Sequence, residues 1–299
     1  MNSHKNQLAW NPSWWCWVGD RGRFVLVKAC LNGGTTRREH LAVPQTPAEL
    51  AADADAVAVA AAGAGAIHLH PRDESGAGVL EADAVLAAVG EVQAAVPGVP
   101  VGVTTGLWAA GGNSYKRLEL VAGWTGPSRP AFASVNMSEP GAAELAALPG
   151  ELDIAVEAGV WTVADADTLA GTELAGTGLA GTGLAGTELA GIGLAGTGLA
   201  GIGLAGPGLL RILIEPQDGS PDGAVALARA IEGALDRHNF TAPRLHHGYG
   251  LATWHVLRAA VAMGRYIRIG LEDTVLLADG TPATSNAELV AAAVALTVG

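Results

Sequence analysis

Beyond residue 23 the chain alternates between two hydrophobic rhythms. Short runs rich in Val, Ile and Leu, such as FVLVKACLNG (24–33) and LLRILIEP (209–216), are separated by Ala-rich stretches whose apolar residues recur at helical spacing. Eight runs of the first kind predict strands, over 24–33, 66–72, 99–106, 132–138, 152–161, 209–216, 244–250 and 266–273. Helical stretches include 46–64, 81–96, 221–238, 251–264 and 285–298. The first opens with Thr46, Pro47 and Glu49 in the order of a capping box, and the last begins with the pair Ser285 and Glu288. The stretch 251–264 ends on Gly264, as helix C-termini often do. Strand followed by helix, repeated eight times, predicts parallel strands joined by right-handed crossovers. The expected fold is therefore an α/β protein, a (β/α)8 TIM barrel. An open doubly wound sheet is the alternative, but no GxGxxG follows the first strand to favour it.

Two segments fall outside this rhythm. Residues 169–208 consist of eight five-residue units of the form LAGxx. In another frame each unit is Thr/Ile-x-Leu-Ala-Gly, which resembles the pentapeptide-repeat family, whose units build a four-sided β-solenoid. The alternative is a flexible low-complexity insertion grown by duplication, since a solenoid needs stacked neighbours and capped ends. Either way the insertion lies between strands 5 and 6, in place of or beside helix 5. Its later part should approach strand 6 from the N-terminal face, opposite the face where barrels do chemistry. Residues 1–23 hold four of the eight tryptophans and are expected to form a flexible leader ahead of a catalytic domain at 24–299. Without the repeat that domain is 236 residues, close to the ~250 typical of the barrel.

Composition narrows the function. The chain is 49% hydrophobic and 15% charged, as a buried-core globular protein should be. A net charge of −12 excludes a general nucleic-acid surface. No run of about 18 apolar residues predicts a membrane span. Cys16 and Cys30 make neither a disulfide framework nor a CxxC metal pattern, so a cytoplasmic location is expected.

The chemistry is expected at the C-terminal ends of the strands. Strand 2 ends in His68-x-His70, strand 3 in Thr104-Thr105-Gly106, strand 4 carries Ser134-Val135-Asn136, and strand 8 runs into Arg268-Ile269-Gly270-Leu271-Glu272-Asp273. Residues two apart on a strand face the same way, so His68 and His70 aim at one point. With a carboxylate from Glu272 or Asp273 they would make a site of two histidines and one carboxylate with an open position, the pattern of catalytic zinc. The plainer reading is a hydrogen-bonded pair of core histidines. Arg268 sits in an otherwise apolar strand and needs a partner, either an ordinary salt bridge or a carboxylate at the metal. His246 and His247 could be a ligand, a substrate contact or packing.

Taken together, ACLNGGTTRREHLAVPQTPAEL, HLHPRD, VGVTTG, ASVNMSEPG, HHGYGLATWHVLRAAVAMG, RIGLEDT and SNAELV resemble, in order, the β-keto acid cleavage enzymes, of which the 3-keto-5-aminohexanoate cleavage enzyme is the best-known type. The resemblance spans nearly all of 24–299 except the repeat. It implies a zinc-dependent exchange in which a β-keto acid and acetyl-CoA give acetoacetate and a new acyl-CoA. It implies His68, His70 and Glu272 as metal ligands, Asp273 as base oriented by Arg268, and Thr104 and Ser134, with their neighbours Thr105 and Asn136, at the substrate. It also implies a homo-oligomer, often a tetramer. Arg37, Arg38, Arg72 and Arg117 are candidates to meet the negative charges of acetyl-CoA. One departure stands out: many members carry a glutamate just after strand 1, where this chain has Gly33-Gly34-Thr35-Thr36 and its nearest carboxylate is Glu39.

Overall fold

A computed structural model describes residues 25–60, 63–176 and 208–298. The eight expected strands all form: β1 Val27–Cys30, β2 Ala64–Leu69, β3 Val101–Thr104, β4 Phe132–Asn136, β5 Ala155–Val160, β6 Leu209–Ile214, β7 Arg244–His246 and β8 Tyr266–Ile269. They pair in sequence order, all parallel, and β8 closes onto β1. The helices between and after them are α1 Pro47–Asp55, α2 Ala82–Ala95, α3 Ser114–Ala122, α4 Ala142–Glu151, α5 Val163–Ala170, α6 Pro221–Arg237, α7 Thr253–Ala262 and α8 Asn286–Val298. The (β/α)8 barrel is thus present. The apolar runs are longer than the ladders they make, because their last residues leave the sheet and build loops at the C-terminal mouth.

Local signals behave as helix physics requires, with two exceptions. The capping box forms in full: Glu49 N donates to Thr46 Oγ1 at 3.3 Å and Thr46 N donates to Glu49 Oε2 at 3.1 Å. The helix expected over 46–64 stops at Asp55, and a wider π turn, Ala56–Ala60, follows. The Ala/Val run keeps helical periodicity, but the chain must reverse into β2, and Gly63 does so at φ 145°. At α8, Glu288 N donates to Ser285 Oγ, but the Glu288 carboxylate reaches past Ser285 to Thr284 N and Oγ1 at 2.6 and 2.7 Å. The first repeat units lie within α5 and the 3₁₀ turn Glu173–Gly176, so helix 5 is present beside the insertion. Residues 177–207 of the repeat and the 1–23 leader lie outside the described residues.

The two faces of the strands differ sharply. Val27, Ala29, Ile67, Leu69, Val101, Val103, Ala133, Val135, Val156, Ala158, Ile212, Ile214, Ile267 and Ile269 belong to one large apolar core. Alternation sends the intervening residues into the barrel. There Leu26, Leu213 and Leu245 pack with Tyr266, but the same interior also holds Lys28, Glu157 and Arg211. Glu157 on β5 accepts from Lys28 Nζ of β1 and from Arg211 Nε of β6 at 2.5 Å. The Phe132 ring lies beneath both cations, 5.8 Å from Lys28 Nζ and 4.9 Å from Arg211 Cζ. Burial alone would push the Glu157 carboxyl up, but the two cations hold it well below the usual carboxylate range.

Two measurements follow from this interior and its surroundings. Glu157→Gln removes the anion between two buried cations and should cost about 3–5 kcal/mol of stability, read from urea unfolding. Asp53 on α1 accepts from Asn286 Nδ2 at 2.6 Å, and burial raises its carboxyl from 3.8 to about 6 despite that bond. A raised acid contributes stability that is present below its unfolded value and lost as pH rises through about 6. Asp53→Asn should therefore have a higher Tm relative to the unaltered chain at pH 8 than at pH 4 or below.

Candidate metal centre and active site

His68 is inward-facing near the end of β2, and His70 follows just beyond it. Their rings meet edge to face, with centroids 5.1 Å apart, and the two Nε2 atoms converge to 3.2 Å. His70 is placed from behind by Asn32, whose Oδ1 accepts from His70 N and whose Nδ2 donates to His70 O, both at 2.9 Å. Trp108, after β3, stacks on the His70 ring at 5.6 Å. Glu272, beyond β8, reaches over the end of β1 to bring Oε1 within 3.3 Å of His70 Nε2 and Oε2 within 4.0 Å of His68 Nε2.

That reach depends on two glycines. A Cβ at Gly33 would stand 2.1 Å from Glu272 Cγ, and one at Gly270 would stand 1.9 Å from the Cys30 carbonyl oxygen. Gly33 also turns at φ 51°. Arg72 holds this turn by donating to the carbonyls of Gly33 and Thr35 at 2.9 and 2.7 Å. Gly33, in the stretch that departs from the resembled family, is thus the space through which Glu272 arrives. Glu39 does not replace the resembled family's glutamate: it folds back on Thr36, accepting from its N and Oγ1.

The donor set fits a metal ion. His68, His70 and Glu272 each offer an atom, all within 4.8 Å of one another. Tetrahedral zinc with bonds of about 2.0–2.2 Å would want its ligand atoms about 3.3 Å apart. Burial lowers the His68 imidazole well below its ordinary value, so it is neutral and can coordinate. Burial opposes ionisation of Glu272, but the Arg268 guanidinium and then the two histidines hold its carboxyl well below the usual range. Glu272 Oε2 is buried without a hydrogen-bond partner among the described residues. A simple pair of core histidines accounts for the 3.2 Å contact but not for the carboxylate aimed at both rings.

Arg268 is the junction with the rest of the site. Its Nη2 donates to Glu272 Oε1 at 2.5 Å and to Asp273 Oδ1 at 2.7 Å, and its Nε lies 3.1 and 3.3 Å from the two Asp273 oxygens. Thr104 and Ser134 are register partners on β3 and β4 and share the inward face. Thr104 Oγ1 accepts from Gly106 N at 3.0 Å and keeps its own proton to donate, whereas the Thr105 hydroxyl donates to the Ser134 carbonyl at 2.6 Å. Asn136 Nδ2 donates to Glu139 Oε1 at 3.0 Å. Among the candidate cations, Arg117 is buried in an ion pair with Glu139, Arg37 pairs with Glu49, and Arg72 holds backbone carbonyls. Arg38 remains exposed.

Several residues at or below the mouth went unread in the sequence. Lys28, Glu157 and Arg211 are single charges in apolar strands, the same signal that marked Arg268. Glu215, just past β6, was visible in LLRILIEP but carried no distinguishing feature. Asn32 and Trp108 had no signal, since their roles are defined only by what they touch.

A model of the beta-keto acid cleavage enzyme family matches residues 25–169 and 215–298, which is well over half of the chain. Three solved structures of ObcA share the fold: the apo form, a binary complex with oxaloacetate, and a ternary complex with a C4-CoA adduct and oxalate. Their TM-scores are 0.56, 0.55 and 0.56 at 17% identity, with 83% of this chain covered. The chain spans 60–62% of the ObcA chains it matches. No curated protein sequence matches it.

Gly33→Ala tests the approach of Glu272. The added methyl should push the carboxylate off the two histidines and lower metal affinity about 10–100-fold, the size of effect seen when ligand support is lost, as read by competition with a chromophoric chelator.

Proposed function

The chain belongs to the beta-keto acid cleavage enzyme family, and from that premise we propose that it is a zinc-dependent enzyme exchanging carbon chains between a β-keto acid and acetyl-CoA, with acetoacetate and a new acyl-CoA as products. The observation that carries this reading is the convergence of His68, His70 and Glu272 beside the Arg268–Asp273 pair. Zinc held by His68 Nε2, His70 Nε2 and Glu272 would supply Lewis-acid polarisation of the substrate's oxygens and so acidify its C2 protons.

The remaining work falls to the chain's own side chains. Arg268 fixes Asp273 through Oδ1, at 2.7 Å from Nη2, and among the described residues Oδ2 has the longer 3.3 Å contact to Nε. Asp273 Oδ2 is therefore the oxygen that takes the C2 proton. The C2 carbanion then attacks the thioester carbonyl of acetyl-CoA, CoA passes to the acyl portion, and a retro-Claisen cleavage releases acetoacetate. The Thr104 and Ser134 hydroxyls hold oxygens of the substrate and adduct. Trp108 shields His70 and keeps water from that side of the pair. The partners are small molecules. The reading also carries a cytoplasmic homo-oligomer, whose size light scattering measures; no helix among the described residues is long and apolar enough to cross a membrane.

The test pairs metal analysis with a panel of β-keto acids. About one zinc per chain, with acyl-CoA formed only when acetyl-CoA is present, is the expected outcome. Zinc with CoA-independent hydrolysis would replace the reading with that of a metal hydrolase. Asp273→Asn should keep its zinc and lose about a hundredfold or more in kcat.

A further inference from the structure

The two histidines at the end of β7 part company. His246 leaves the barrel and meets Glu232 of α6, Nε2 to Oε1 at 2.8 Å, in a cluster with Arg244 and Arg265. His247 turns inward and is fully buried. Its Nδ1 lies 3.2 Å from Asp273 Oδ1 and its Nε2 lies 3.1 Å from Glu215 Oε2. The Asp273 and Glu215 side chains are themselves 0% and 5% exposed. Tyr249 packs edge-on against the imidazole, with centroids 5.0 Å apart.

An imidazole between two buried carboxylates is a restrictive arrangement. A neutral ring has one N–H and one lone pair, so one carboxylate would face a lone pair. An imidazolium is attracted to both, and the 3.2 and 3.1 Å approaches are ion-pair contacts in which neither nitrogen meets hydrogen-bond geometry. The groups facing His247 are Glu215 from the end of β6, Asp273 and Arg268 from β8 and its loop, and Tyr249 from its own loop. Burial and the Arg268 cation press its ring toward the neutral form, but Asp273 and Glu215 outweigh them, and the net shift is upward.

We propose that His247 and Glu215 form a positioning pair for Asp273, with the imidazolium holding Oδ1 on the side that Arg268 leaves open and so directing Oδ2 toward the substrate. The proposal rests on the reading of Asp273 as the base.

The first test needs no turnover. Nitrogen-15 histidine NMR of the full chain should show one buried ring protonated at both nitrogens at pH 7. Its resonances should disappear in His247→Asn, and its pKa should fall by at least one unit in Glu215→Gln. A ring that is neutral at pH 7 overturns the proposal, whether or not the protein is active. The second test uses Glu215→Gln, which preserves shape if His247→Asn does not fold. Zinc content should stay at the unaltered level, kcat and C2 proton exchange into deuterated water should fall together about ten- to a hundredfold, and KM for the β-keto acid should change less than twofold. A raised KM with unchanged kcat would place Glu215 on the substrate and overturn the pair. Absence of acetyl-CoA-dependent turnover in the unaltered protein would defeat the functional reading, while the NMR result would still decide the pairing.

Discussion

A buried guanidinium must be surrounded by anions, and in this barrel that requirement organises the C-terminal mouth. Arg268 enters on β8 and is 2% exposed. It meets Glu272 and Asp273, both supplied by the loop that leaves the same strand. Because one cation binds both carboxylates, their positions are linked. Glu272 is held where the β2 histidines converge, and Asp273 is held beside it with Oδ1 more closely engaged than Oδ2. Loss of the cation would leave two buried negative charges in contact, which burial penalises heavily. The candidate metal-binding atoms and the proposed base are thus two ends of one electrostatic unit.

The backbone had to be shaped so that this unit could form. The ends of β1 and β8 approach too closely for ordinary side chains, and Gly33 and Gly270 sit at the contact. Two buried asparagines then tie the loops together by using both ends of their amides. Asn32 clamps the backbone of His70, while Asn286 accepts from Leu271 N and donates to the Leu31 carbonyl, both at 2.7 Å. Below the mouth, Lys28, Glu157 and Arg211 fill the barrel with a charged cluster where aliphatic layers are usual. The helices and outward strand faces are correspondingly apolar, and stability is concentrated there.

The barrel itself was legible because its signals are local and periodic. Alternating strand and helix patterns identify every strand, and one parallel topology joins them in sequence order. The errors lie at element ends. The 46–64 helix overruns because periodicity does not report where a chain must reverse, and Ser285–Glu288 is only half a capping box because the carboxylate finds Thr284 nearer. Arg268, Glu272 and the His-x-His pair were readable because polar residues at strand ends stand out against apolar neighbours. Lys28, Glu157 and Arg211 carried the same contrast, but a charge in a strand does not name its partner across the barrel.

The sequence by itself determined the strand and helix alternation, the family resemblance and the shared direction of His68 and His70, because each follows from residue spacing of two, of three to four, or from contiguous motifs. Tertiary structure alone decided which residues meet. It separated His246, bound to α6, from His247, bound to Asp273 and Glu215, although the two are adjacent in the chain. It also showed that Thr105 serves the backbone, that Arg117 is paired with Glu139 inside the protein, and that the Gly33 turn makes room for Glu272. These are contacts across a closed barrel between residues far apart in sequence, and their distances are set by the packing of all eight strands rather than by any local preference.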